Sequence, residues 1–205
     1  MPGYLLFGIT YGLAAAVMPG PLLTYLISQT LNNGWRCTLP AAFSPLLSDI
    51  PVAVLVLLAL SHVPPRMIQL LQFAGGFFIL YLAISAIKAW RNYDIKHTTS
   101  VQSIRQSVLK ATMVNVLNPS PYLGWSLVIG PLLLKEWREA PINGITLLMS
   151  FYGMMIISLI GIIMLFAAAR NIGPKVNRTM IGISAIALAC FGLYRLWLGI
   201  TAYIQ

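Results

Sequence analysis

Residues 4–31 read YLLFGITYGLAAAVMPGPLLTYLISQTL, a stretch without a charged side chain. An α-helix needs about 20 mainly apolar residues to cross a lipid bilayer, and this stretch exceeds that length. Met18-Pro19-Gly20-Pro21 stands near its middle. Proline lacks a backbone N–H and its ring clashes with the preceding turn, so two prolines around one glycine interrupt a helix. The stretch therefore predicts a transmembrane helix that is broken at mid-membrane.

The rest of the chain has the same apolar character. Of its 205 residues, 59% are hydrophobic and only 8% are charged, whereas soluble domains carry about 25% charged residues. Six long apolar runs cover about 4–31, 38–61, 66–90, 109–134, 142–170 and 178–204. Their unbroken character excludes an outer-membrane barrel, whose strands alternate apolar and polar residues. We predict an all-α membrane protein in which residues 1–205 form one transmembrane domain of six helices. The first run is expected to be retained as a span rather than cleaved as a signal peptide.

The net charge of +9 at pH 7 reflects membrane topology. Basic residues stand mostly at the ends of apolar runs and do not alternate with aromatic residues, so we expect no nucleic-acid partner. Nine of them adjoin the first, third and fifth connections: Arg36, Lys88, Arg91, Lys96, Arg105, Lys110, Arg170, Lys175 and Arg178. Three adjoin the opposite side: Arg66, Lys135 and Arg138. The positive-inside rule then places the long connection 91–108 in the cytoplasm and both termini outside.

The long connection divides the chain into two halves of three spans, about 1–90 and 109–205. Asn118-Pro119-Ser120-Pro121 interrupts the first span of the second half, 100 residues after the first interruption. An odd number of spans makes the halves cross the membrane in opposite senses, so the chain reads as two inverted three-helix repeats. Prolines often merely kink membrane helices, but matched interruptions in inverted repeats are typical of a transporter's binding site.

The chemistry of these breaks follows from the missing proline N–H groups. The carbonyls of Ala15, Val17, Asn115 and Leu117 are expected to lose their helical donors. Each break also starts a half-helix whose first N–H groups face it, which favours a carboxylate. Free carbonyls suit an ammonium group or another cation. Asn115 and Asn118 add side-chain amides at the same depth.

Asp49 is the one acidic residue inside an apolar run, twelve residues into the run 38–61. A carboxylate at this depth is costly and is by default a functional candidate. We expect Asp49 to bind a substrate ammonium group or to carry a coupling proton. The structural alternative is an ion pair with Arg195. However, Arg195 lies ten residues from the C-terminus beside Tyr194 and Trp197, a position typical of an arginine that extends to the membrane interface.

These features together resemble the LysE/RhtB family of amino-acid exporters over the full length of the chain. The resemblance is carried by Pro19-Gly20-Pro21, by Asp49 in the second span, and by Asn118-Pro119 after Ala111-Thr112-Met113-Val114-Asn115. It implies export of amino acids such as lysine, threonine, homoserine or leucine across a bacterial inner membrane, driven by protons. It also implies a central site of Pro19, Gly20, Pro21, Asp49, Asn118 and Pro119. The chain departs from the family at Ser120-Pro121, where members often have Lys, and at Ser44-Pro45-Leu46-Leu47-Ser48, where glycines are usual.

We therefore expect a secondary exporter of amino acids or similar small zwitterions, proton-coupled, with alternating access between the repeats. The expected substrate site combines both helix breaks with the acid and the amides: Pro19, Gly20, Pro21, Asp49, Asn115, Asn118, Pro119, Ser120 and Pro121. Asp49 is also the expected coupling-ion residue. An inorganic-cation efflux transporter is the main alternative, and a non-transporting assembly subunit is a weaker one.

No pattern in the chain indicates an enzyme, a cofactor or a metal site. Nucleotide-binding and hydrolase motifs are absent from the sequence, and His62 and His97 fall in connections. Cys37 and Cys190 have no partner at metal-ligand spacing. Gly8 and Gly12 form a G-x-x-x-G pair, which serves either dimerisation, leaving a homo-oligomer open, or packing between the repeats, which we favour.

Overall fold

The computed structural model describes residues 2–58, 65–91, 103–170 and 173–204, and every regular element in these ranges is helical. The first half contains α1 (Pro2–Val17), α2 (Pro21–Asn33), α3 (Trp35–Thr38), a 3-10 segment (Leu39–Phe43), α4 (Ser44–Leu58) and α5 (Pro65–Arg91). The second contains α6 (Ile104–Val116), α7 (Pro119–Gly124), a π-helical segment (Trp125–Ile129), α8 (Gly130–Glu139), α9 (Pro141–Arg170) and α10 (Pro174–Ile204). The prediction of an all-α architecture is confirmed for the described ranges.

Several helices have the length and composition of membrane spans. Within the described ranges, Trp35–Leu55, Pro141–Arg170 and Lys175–Thr201 qualify individually. Gly3–Val17 and Pro21–Asn33 qualify together but are bent by 62°. Phe73–Lys88 within α5 is apolar but shorter. These segments make three spans, or four with the bent pair, so six spans in two inverted repeats stay a prediction.

One predicted connection differs from the structure, and three others fall wholly or partly outside the described residues. The apolar runs 109–134 and 142–170 predict a polar turn from Lys135 to Pro141, but α8 continues to Glu139 and only Ala140 separates it from α9. Leu133 and Glu136, three residues apart, are buried while Lys135 and Arg138 are exposed, which is the pattern of a helix with one buried face. Residues 59–64, 92–102 and 171–172 lie outside the described residues, and with them His62, Lys96, His97 and most of the long connection.

Both proline motifs coincide with interruptions of the helical path. α1 ends at Val17 and α2 begins at Pro21, with Gly20 in an extended conformation before it. α6 ends at Val116 and α7 begins at Pro119, where the side chain of Asn118 accepts the N–H of Ser120 at 3.2 Å. Proline is tolerated at the first position of a helix because the N–H it lacks would have no helical partner there. Each break therefore ends one helix and starts the next.

One predicted consequence of the second break is wrong. The carbonyl of Asn115 was expected to be free, but it accepts the backbone N–H of Asn118 at 3.1 Å. The N–H of Leu117 likewise reaches the carbonyl of Met113 at 3.0 Å. The chain tightens at the end of α6, and this turn supplies a donor that the proline does not.

The two halves of the chain interleave. α1 packs along α9, α5 packs along α10, and α4 packs on α6. A Cβ atom on Gly8 or Gly12 would collide with backbone atoms of α9, at Leu147 and Phe151 respectively. The interpretation of the G-x-x-x-G pair as packing between the halves is therefore confirmed, and the pair carries no prediction of dimerisation.

Candidate substrate site

A cavity of about 390 Å³ lies at the two helix breaks. This volume is within the usual range for small-molecule sites. Eight of the nine predicted substrate-site residues line it: Pro19, Gly20, Pro21, Asp49, Asn115, Asn118, Ser120 and Pro121. Pro119 does not line it and is buried at the start of α7. Successive helical residues point about 100° apart, so the residues after Pro119 face a different direction from its ring.

Asp49 is held by side chains from three helices. Its Oδ2 atom accepts the hydroxyl of Tyr152 on α9 at 3.0 Å. Its Oδ1 atom accepts the amide of Asn115 on α6 at 3.2 Å and the hydroxyl of Ser48 at 3.3 Å. Asn115 also donates to the Ser48 hydroxyl at 2.7 Å. These donors offset the cost of placing a carboxyl group in an apolar bundle, and they tie α4 to the second half of the chain.

Asp49 supplies the acidic group of the cavity. Among the described lining residues it is the one acid. Glu136 is also buried completely, but it lies at the end of α8 and outside the lining, where Asn143 approaches it at 3.5 Å. A ligand in the cavity therefore meets a single carboxyl group.

Trp125 brings an unpaired donor to the same place. It begins the π-helical segment, is only 5% exposed and lines the cavity. Its indole N–H lies near the Asp49 carboxyl and the Tyr152 hydroxyl, yet it makes no hydrogen bond of ordinary length. Leaving a buried donor without a partner costs about 1–3 kcal/mol. Short π-helical segments often occur at functional sites.

Arg195 also lines the cavity, which overturns the expectation that it extends to the membrane interface. The side chain is half-buried, and its Nη2 atom donates to the amide oxygen of Asn118 at 2.8 Å. The interruption between α6 and α7 presents this oxygen, so the guanidinium group finds an acceptor inside the protein. The ion pair with Asp49 is not formed among the described side chains, because Asp49 bonds to Tyr152, Asn115 and Ser48 instead.

The remaining wall is mainly apolar. α9 contributes Phe151, Met155 and Leu159, α10 contributes Phe191, and the π-helical segment contributes Ile129. At the opposite break, α2 begins without a side-chain cap, so the N–H groups of its first turn have no helical acceptor. The cavity therefore combines one acid, one base and several hydrogen-bonding groups with a largely apolar surface.

Sequence reasoning missed Tyr152, Trp125 and the inward position of Arg195. Tyr152 and Trp125 stand in apolar runs among other aromatic residues, and no local spacing distinguishes them. The hydrogen bond from Tyr152 to Asp49 joins residues 103 positions apart. They come together only in the tertiary fold, where α9 packs against the 3-10 segment that precedes α4. A charged residue in an apolar run was the one available signal for Arg195.

An apolar chain whose described elements are all helical, with a small cavity at two helix breaks, has the architecture of a membrane transporter. The family model of LysE type translocators matches residues 13–199, so the chain belongs to this family. The predicted resemblance is thereby confirmed. The protein is a multi-pass membrane exporter for a small-molecule substrate, and members of its family are transporters rather than enzymes. Comparison with curated proteins and with solved structures gave no match.

Proposed function

We propose that the protein is a proton-coupled secondary exporter of amino acids or similar small zwitterionic metabolites. It acts in the bacterial inner membrane, with the connection 91–108 in the cytoplasm and both termini outside. The observation that carries the proposal is Asp49, a buried carboxyl group that lines a cavity of about 390 Å³ at both helix breaks. A substrate ammonium group binds at Asp49, and donors at the breaks take the carboxylate.

The hydrogen bonds of Asp49 support a role in proton coupling. The Asn115 amide donates to Oδ1 whether the carboxyl group is charged or neutral, because an amide nitrogen cannot accept. The Tyr152 hydroxyl, in contrast, can donate to a carboxylate or accept from a carboxylic acid. Protonation therefore takes place at Oδ2, where rotation of one hydroxyl group reverses the hydrogen bond. The site accommodates both charge states without breaking its contact with Asn115.

The helix contacts between the two halves are the surfaces along which alternating access would act. Each of the long helix contacts, α1 with α9 and α5 with α10, joins one half to the other, as does α4 with α6. Gly76 and Gly192 approach each other reciprocally at the α5–α10 contact: a Cβ atom on each would lie 3.1–3.2 Å from the carbonyl oxygen of the other. A rocking motion of repeat one, about 1–90, against repeat two, about 109–205, would open the cavity to either side in turn.

Inorganic-cation export is less well supported. Divalent and soft metals prefer several carboxylate, imidazole or thiolate ligands. In the described ranges no group of three or more His, Cys, Asp or Glu residues lies together. The Asn115 carbonyl, one of the four expected to be free, already accepts a backbone donor. The cavity contains one acid in a mostly apolar lining, which suits an organic ammonium better.

Efflux from loaded cells tests the proposal. Cells expressing wild type, Asp49→Asn or an empty vector are loaded with dipeptides, and each amino acid appearing in the medium is quantified. Glu139→Gln, at an exposed acid at the end of α8, is the matched control. We expect wild type and Glu139→Gln to export one or a few amino acids, and Asp49→Asn at equal expression to match the vector. Wild-type efflux equal to the vector across the panel would overturn the proposal.

A further inference from the structure

We propose that Arg195 binds the substrate carboxylate and that the site consequently selects electrically neutral amino acids with apolar side chains. The inference rests on the proposed function, because it takes the cavity as the transport site. It names a specificity-determining residue outside the two proline breaks and narrows the substrate class.

Arg195 has hydrogen-bonding capacity that the protein does not use. A guanidinium group carries five N–H donors, arranged to bind a carboxylate through two parallel hydrogen bonds. In the described structure one of these donors is engaged, from Nη2 to the Asn118 amide at 2.8 Å. Because the half-buried side chain lines the cavity, the other donors are available to a ligand there.

A purely structural role does not account for the charge of Arg195. The side-chain oxygen of Asn118 already accepts the N–H of Ser120 at 3.2 Å. A neutral donor could make the second hydrogen bond to this oxygen as well as a charged one. A cation within the membrane is costly unless a partner neutralises it. The acid of the same cavity is engaged by Tyr152, Asn115 and Ser48. A substrate carboxylate is the anion that would complete the pairing.

The balance of charges in the lining narrows the substrate class. The described lining contains one acid, Asp49, and one base, Arg195. An amino acid with an uncharged side chain supplies one ammonium group and one carboxylate, so each charge finds a partner. A lysine-like substrate would bring a second ammonium group, for which this lining has no second carboxylate.

The apolar wall determines what the site accepts as a side chain. Phe151, Met155, Leu159 and Phe191 would pack against an aliphatic group. Burying an unpaired charge against them is strongly unfavourable. An apolar pocket rejects an added hydroxyl group far more weakly. We therefore expect strong selection against dibasic amino acids and weak selection against hydroxylated ones.

Ligand binding to the purified full-length protein in detergent tests the inference. Titration calorimetry compares L-norleucine with L-norleucinamide, which lacks the carboxylate, and with L-lysine, which adds a side-chain ammonium group. The variants are Arg195→Gln, Arg195→Lys, and the control Arg178→Gln at an exposed position on the same helix. Gel filtration and melting temperature establish whether each variant is folded. If Arg195→Gln does not fold, Arg195→Lys still tests the site, because it preserves the charge.

We expect wild type and Arg178→Gln to prefer L-norleucine over the other two ligands. Loss of a hydrogen bond to a charged group lowers affinity about 10- to 150-fold, so Arg195→Gln should weaken L-norleucine by this factor and leave L-norleucinamide nearly unchanged. Arg195→Lys should retain part of the preference. A merely structural role would weaken both ligands alike, and that result would overturn the inference, as would wild-type affinity for L-lysine equal to that for L-norleucine.

The efflux panel separates failure of this inference from failure of the proposed function. Wild-type cells that export charged and polar amino acids as well as neutral apolar ones would overturn the inference. If Asp49→Asn abolishes that export, the proposed function still stands. Wild-type cells that export no amino acid would overturn both.

Discussion

The hydrogen bond between Tyr152 and Asp49 can be tested by a substitution that removes a single oxygen atom. Tyr152→Phe removes the hydroxyl that reaches Oδ2 at 3.0 Å and retains the ring, which packs edge-on against Phe151 with centroids 4.9 Å apart. A hydrogen bond to a charged group contributes about 1.5–3 kcal/mol. In a chain of this size, each kcal/mol corresponds to about 2–4 °C in melting temperature. We expect Tyr152→Phe to lower the melting temperature by about 3–12 °C.

A double-mutant cycle assigns this loss to the carboxyl group. Tyr152→Phe is made in wild type and in Asp49→Ala, and thermal unfolding in detergent is followed for all four proteins. We expect the Tyr152→Phe loss to disappear when Asp49 is absent. Tyr81→Phe, at an exposed tyrosine on α5, should change stability by no more than about 0.5 kcal/mol. An equal Tyr152→Phe loss in both backgrounds would show that the hydroxyl does not act through Asp49, and would refute the proposed proton position.

Three further predictions concern packing, the second break and topology. Gly12→Val should impair folding, because its Cβ would overlap the backbone of α9, whereas Gly161→Ala, with open space around it, should be tolerated; the yield of monodisperse protein distinguishes the two. Asn118→Ala should lower stability by about 0.5–2 kcal/mol through loss of the helix cap and should weaken export, while Asn118→Asp keeps the cap; equal unfolding curves for both variants would contradict this. A cysteine at His97→Cys, in a background without other cysteines, should react with a membrane-impermeant reagent only from the cytoplasmic side. Labelling of this cysteine in intact cells would show that the orientation is opposite to the predicted one.

Local chemistry explains what could be predicted from the sequence. The prolines determine both helix interruptions, because a missing N–H acts within its own turn of helix. The apolar composition determines the helical membrane architecture, and the position of Asp49 within an apolar run makes it a functional candidate without knowledge of its partners. The motifs around Pro19, Asp49 and Asn118 also indicate the family, which the match over residues 13–199 confirms.

Tertiary packing decided the rest. Whether Arg195 extends outward or lines a cavity depends on how α10 is rotated about its axis, and its acceptor on Asn118 is 77 positions away. Tyr152 reaches Asp49, and Trp125 lines the cavity, only because helices of the two halves interleave. The carbonyl of Asn115 is the exception, because its unexpected donor is the backbone N–H of Asn118 in the local turn that follows α6. A local pattern specifies where a helix breaks, but the partners of a buried side chain come from distant segments, and only their packing determines them.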